Sequence, residues 1–321
     1  MTQAIPSVSL VRSPSAAPVR RLSWTQRLPL AALGTLFWLT LRQHSRGRRL
    51  LIFAFLFLLP TLLVCLIRTF DPLIQPYEQK FVLAPLHLPS VPVSFTGLVY
   101  LARSLHRLRE LEFAIIFTII PHVFVPLTAL VYSSSMIHDE LEEQTLTYLL
   151  IRPSPKWVIY LAKLLATLLI TLLLAACGML VTYTAMYWGL PGFGGETFWT
   201  HLLKAQALLA LALLAYGSLF GYLGLLVRHS LVVGIAYIIV FEGVLANIDF
   251  VVRRLTVMYY FRVLAARWLP LSIREWSLDL TLAPSSTYCV GVLGAVGLVA
   301  TGLAVLTFTT REFRVKTPEG S

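Results

Sequence analysis

The sequence predicts an all-α integral membrane protein: a six-transmembrane-helix bundle preceded by an interfacial elbow helix. Three observations predict it. Hydrophobic residues make up 57% of the 321 residues and charged residues 13%, about half the charged share of a soluble domain. Six apolar runs approach or exceed the roughly 20 residues a helix needs to cross a bilayer. Lys and Arg number 26 against 15 acids, and they gather in short segments beside apolar runs. That is how topology-setting charge is placed, and it replaces the nucleic-acid reading that a net +11 would suggest in a soluble chain.

Residues 1–23 are rich in Pro, Ser and Arg, the composition of a disordered basic tail. A single membrane domain is expected over 24–310. It opens with "LPLAALGTLFWLTL", about 28–41, too short to span and fit for a helix lying on the surface. "RQHSRGRR" follows it instead of the small residues of a cleavage site. The spans are expected at about 50–67, 113–132, 157–188, 202–227, 231–248 and 288–310. A short tail, 311–321, closes the chain. No internal repeat is visible, which weakens a secondary-transporter fold built on inverted repeats.

Orientation follows from the flanks. Arg12, Arg20, Arg21, Arg27, Arg42, Arg46, Arg48 and Arg49 precede or open the first run, and no acid does. This places the N-terminus in the cytoplasm, and an even number of spans returns the basic "REFRVK" to the same side. The two long loops on the other side, 68–112 and 249–287, hold ten Lys and Arg and count against it, but long loops weigh less in the charge rule. Cys65, Cys177 and Cys289 lie in or beside apolar runs and read as small apolar residues, with no disulfide framework or metal pair.

Between the second and third runs stands "SSSMIHDELEEQTLTYLLIRPSPKWVIYLAK", with Asp139, Glu140, Glu142 and Glu143 side by side. Carboxylates are costly in hydrocarbon, so the patch belongs in water. Leu141, Thr145, Leu146, Leu149 and Leu150 recur at helical spacing behind the acids. Arg152-Pro153 ends that helix, and Ser154-Pro155 starts the next. Trp157 and Tyr160 suit a headgroup-level belt, and Lys163 suits snorkelling towards water. From the residues alone this is either a solvated connector or a docking lever.

The same residues resemble a family. "ELEEQTLTYLLIRPSPKWVIYLAK" is similar to the segment of type-2 (ABC-2-like) ABC transporter permeases that runs Glu-x-Glu-x-Gly-Thr-Leu, a Leu pair, a Pro, and a Lys some ten residues later. Glu140, Glu142, Thr145, Leu146, Leu149, Leu150, Pro153 and Lys163 fall on matching positions, with Glu143 beside them. Gln144 stands where the family has Gly, and Leu141 where a basic residue is common. The resemblance implies an exporter half with a cytoplasmic coupling helix between helices 2 and 3 and a second permease copy, identical or not. It also implies two ABC ATPase subunits that bind ATP and Mg, and a plasma membrane setting, such as a bacterial inner membrane. This chain has no G-x-x-x-x-G-K-[ST] to cradle phosphates, so no cofactor, nucleic acid or catalytic role is expected of it. Its other partner is lipid.

Two polar residues inside the runs are candidates for a pathway or gate. Glu242 lies about a dozen residues from the cytoplasmic end of its run, roughly 18 Å deep, where an acid is a functional candidate; the structural alternative pairs it with Arg253 or Arg254. His122 stands between Pro121 and Pro126, where a kink is expected. It has no second His one turn away, so no metal site is read there. "RSLHRLRELE", 103–112, reads as a solvated amphipathic helix, with Glu110 able to pair with Arg107. A partner-independent channel or secondary transporter remains the alternative function, and an intramembrane enzyme a lesser one. The enzyme would need paired catalytic groups within the spans, and beyond Glu242 and His122 few are available.

Overall fold

With no water to satisfy it, backbone that crosses hydrocarbon closes its hydrogen bonds within the segment, as a helix. The computed structural model describes residues 29–46, 48–83, 110–142, 155–189, 193–248, 251–269, 276 and 280–311. The elements among them are helices: α1 (Pro29–Arg46), α2 (Arg48–Leu83), a π-helix (Phe113–Phe124) continuing as α3 (Val125–Glu142), α4 (Lys156–Tyr187) and α5 (Glu196–Leu226). Then come α6 (Ser230–Tyr237), continuing as a second π-helix (Ile238–Val244), α7 (Val257–Trp268) and α8 (Ser286–Thr310), with short 3-10 turns at Leu245–Asn247 and Val251–Leu255.

Six of these are long and apolar enough to cross a membrane: Arg49–Phe70, Glu110–Ile137, Lys156–Tyr187, Glu196–Leu226, Ser230–Asn247 and Ser286–Thr310. The all-helical, six-span expectation is met. The largest shift is the start of the fourth span, at Glu196 instead of 202. There an acid in the first turn suits the positive end of the helix dipole.

Hydrogen bonds fix which span ends share a face. On one face Arg49 donates to the Ser135 hydroxyl at 2.8 Å, and Arg311 donates to the Leu225 carbonyl. On the opposite face Arg68 donates to the carbonyls of Ala185 and Trp188, both at 2.7 Å. We call the first the basic face, since Arg49 and Arg311 lie on it.

The second and fourth spans form the centre, with 61% of each core stretch buried against 22% for the first and fifth. They touch closely because Gly224 has no side chain: a Cβ there would meet the Ser134 carbonyl oxygen at 2.6 Å. Small residues at such crossings are how membrane helices pack without a hydrophobic driving force between them. Short polar bridges add to this: Thr61 with Thr182 at 2.8 Å, Thr301 with Ser218 at 3.2 Å, and Gln206 donating to the Ala176 carbonyl at 2.9 Å.

Helix C-termini leave carbonyls without partners, and here a cation from another element reaches each of several. Arg68 serves the end of α4, Arg311 the end of α5, and Lys156 the end of α8 through Thr309 and Arg311. Arg262 serves the end of the fifth span through Ala246, and Lys204 the end of α7 through Trp268.

Helix α1 packs against α4, and His44 stacks on Tyr132 with ring centroids 5.7 Å apart. Tyr160 departs from its expected place in a headgroup belt. Its ring is fully buried against Phe308, while neighbouring Trp157 is exposed. The cysteines are free, Cys65 and Cys177 exposed and Cys289 buried.

Candidate functional site: a buried carboxylate that caps a helix

Both expected polar candidates sit in π-helical backbone, a form found mostly as short bulges and often at functional sites. Around His122 the cause is Pro121, which has no N–H for the α-helical ladder. The ladder widens instead: the Val125 N–H reaches the Ile120 carbonyl, and the Thr118 hydroxyl takes the Phe113 carbonyl at 3.1 Å. The segment of the expected kink is wound as a π-helix.

Glu242 lies in the second π-helix and is fully buried. Its carboxylate accepts the backbone N–H groups of Val257 at 3.2 Å and Met258 at 3.1 Å. These are the first N–H groups of α7, which no intrahelical carbonyl can serve. The carboxylate also sits at the positive end of that helix's dipole. Tyr237 donates its hydroxyl at 3.4 Å, and the Tyr216 hydroxyl faces the same group. At the other side of the cap, Thr256 accepts the Tyr259 N–H at 3.2 Å.

The cation beside Glu242 is Arg262, not the Arg253 or Arg254 that sequence adjacency offered. Arg262 is buried one turn into α7, donates to the Ala246 carbonyl at 3.3 Å and the Asn247 side chain at 3.0 Å, and lies 6.0 Å from the Trp276 ring centre. Burial pulls its guanidinium below the ordinary value, and the Glu242 carboxylate pushes it back up. Arg253 instead lies over the Tyr259 ring at 5.4 Å. His122 feels the same Arg262 charge, and its Nδ1 has no hydrogen-bond partner among the described residues. Glu242 and His122, from different spans, thus lie within electrostatic reach of one guanidinium on α7.

A second buried carboxylate was not legible. Glu112 accepts the hydroxyls of Tyr183 and Tyr187, both at 2.5 Å, and so ties the second span to the third on the face opposite the basic one. It closes "RSLHRLRELE", whose charge density signals a solvated helix; residues 101–109 lie outside those described, Arg107 among them.

On the basic face, the second span's helix continues past Ile137 to Glu142, placing Glu140 and Glu142 on a helical extension. Glu143, Thr145, Leu146, Leu149, Leu150 and Pro153 lie outside the described residues, so the expected coupling helix is described only at its start. Lys163 does not snorkel. It is buried, and its ammonium donates to the Met136 carbonyl at 3.4 Å, at the root of that extension.

The sequence profile of the ABC-2 family transporter proteins matches residues 35–312, most of the chain and every span. The chain belongs to that family. A search of curated proteins finds no match. As an ABC-2 permease the chain is a multi-pass transport membrane subunit, not itself catalytic, and the family works with an ABC ATPase.

Proposed function

We propose that this ABC-2 permease is one half of an ATP-driven exporter of the plasma membrane, with both termini in the cytoplasm. Two copies, or this chain and a related one, form the translocation unit. Two ABC ATPase subunits, which bind ATP and Mg, dock on the basic face, and their closure drives alternating access between the halves. The observation that carries this is the helical extension of the second span to Glu142, rooted by Lys163 of the third span on Met136. A push on Glu140, Glu142 and Glu143, and on the leucines and Pro153 beyond them, would move the second and third spans together.

Within the membrane, Glu242 and His122 act on the gate opposite the basic face. Glu242 bonds the first N–H groups of α7, and the π-helix that carries His122 packs against α7, so a change in the second or fifth span reaches that helix directly. The test is co-purification of the tagged chain with its ATPase, followed by an ATPase assay in lipid. Reversing both Glu140 and Glu142 to Lys should abolish transport-coupled ATPase activity and leave membrane insertion intact. Unchanged activity would sink the lever. A chain that purifies alone, with no ATPase activity in its native membranes, would return the channel reading.

A further inference from the structure

We propose that a pocket between α7 and α8, on the face opposite the basic one, binds the phosphate group of a membrane lipid. The cavity, of about 300 Å³, is lined by Arg254, Tyr259, Tyr260, Leu282, Ser285 and Tyr288, with Pro284 at its edge. The residues that line it include one cation and four hydroxyl-bearing side chains, and no carboxylate. A planar guanidinium matches phosphate oxygens in pairs, and hydroxyls complete such a shell as donors. A cationic ligand would meet Arg254 with nothing to offset it.

The groups are fixed, not incidental. Arg253 over the Tyr259 ring and the Thr256 cap set the start of α7, from which Tyr259 and Tyr260 project. Ser285 accepts the Tyr288 N–H at 3.4 Å and so sets the start of α8. Arg267 donates to the carbonyls of Leu280 and Ala283, which holds the remaining wall. Tyr260 lies among the Tyr259, Tyr288 and Arg254 groups, and burial pushes its hydroxyl up from the ordinary value. Arg254 makes no hydrogen bond or ion pair among the described residues.

A lipid rather than a free phosphate is indicated by the apolar surroundings. Leu282, in the lining, is 77% exposed, and Leu255 and Val251, in the turn that carries Arg254, are 71% and 66% exposed, a cost in water that acyl chains would remove. Tyr288 stands in the third position of a membrane-crossing helix and is itself exposed. Tyrosine is enriched at this level because one end of it is apolar and the other wet. The volume suits a headgroup with its tails left outside. This inference is independent of the export reading.

The experiment is native mass spectrometry of the full chain in detergent, titrated with phosphatidylglycerol, with the matching diacylglycerol, and with glycerol phosphate. One phosphatidylglycerol should bind tightly, and Arg254→Ala should weaken it by about tenfold or more, as expected for losing a charge-assisted pair. Tyr288→Phe, which keeps the ring, should weaken it less. Equal binding by Arg254→Ala would overturn the proposal, as would equal binding of diacylglycerol, which would make the pocket a plain apolar groove. Binding of glycerol phosphate as tight as the lipid would make it a free-phosphate site and remove the lipid assignment.

Discussion

The Glu242 carboxylate and the Met258 N–H, 3.1 Å apart, join a membrane span to the helix that follows it. With the Val257 bond beside it, this one side chain supplies the cap that α7 would otherwise take from solvent. Glu242→Ala leaves two buried N–H groups without an acceptor and should cost about 2–4 kcal/mol. Glu242→Gln keeps one acceptor oxygen and should recover part of that. Thermal unfolding of the purified variants checks both. Equal melting temperatures for all three chains would mean the cap contributes nothing.

Glu112 with Tyr183 and Tyr187 is a buried network, and such networks are not additive. Tyr183→Phe and Glu112→Gln should each destabilise by about 1–3 kcal/mol. Combined, they should cost less than the sum, with a coupling of about 0.5 kcal/mol or more in a double-mutant cycle. Strict additivity would show that the two groups do not share their stabilisation.

Gly224 and Gly291 make a matched pair of helix glycines. A methyl at Gly224 would strike the Ser134 backbone, which cannot rotate away, whereas one at Gly291 meets nothing within 4 Å. Gly224→Ala should cost about 1–3 kcal/mol through overpacking, and Gly291→Ala should be neutral or slightly stabilising. Resistance to unfolding in a denaturing detergent distinguishes them. Similar losses at both sites would remove the close crossing as the cause.

The orientation can be read with single cysteines in a background where Cys65, Cys177 and Cys289 are replaced. Thr197→Cys, at the start of the fourth span, should react with an impermeant maleimide in whole cells. His229→Cys, in the turn before the fifth, should react only after the membrane is opened. The reverse pattern would put the basic face outside and end the proposed ATPase docking there.

What the sequence made legible was the membrane crossing itself. Apolar length and flanking charge depend on bilayer thickness and on chain neighbours, so the six spans lie close to where the runs of 50–67 to 288–310 put them. Partners were less legible, because they come from elsewhere in the chain. Lys163 is drawn as a snorkelling cation by its flanks, yet the carbonyl it meets belongs to Met136 on another helix. Glu242 has arginines at 253 and 254 close by in sequence, but the turn Val251–Leu255 carries them past it and α7 returns Arg262 instead. Tyr160 looks amphipathic beside Trp157, and only the packing of Phe308 reveals it as core. Glu112 was hidden because two hydroxyls a full span away are what make its burial tolerable.

The cations at the helix ends change what the formal charge of +11 means. Arg68, Lys156, Lys204, Arg262 and Arg311 each face the negative pole of a helix dipole, which offsets roughly half an elementary charge. Their fields are therefore muted before they reach the solvent or a lipid headgroup. On the face opposite the basic one this muting covers Arg68, Lys204 and Arg262, and Arg267 is likewise turned onto carbonyls. An anion approaching that side meets a weaker potential than the count of basic residues suggests, and Arg254 stands out against it as a local attractor.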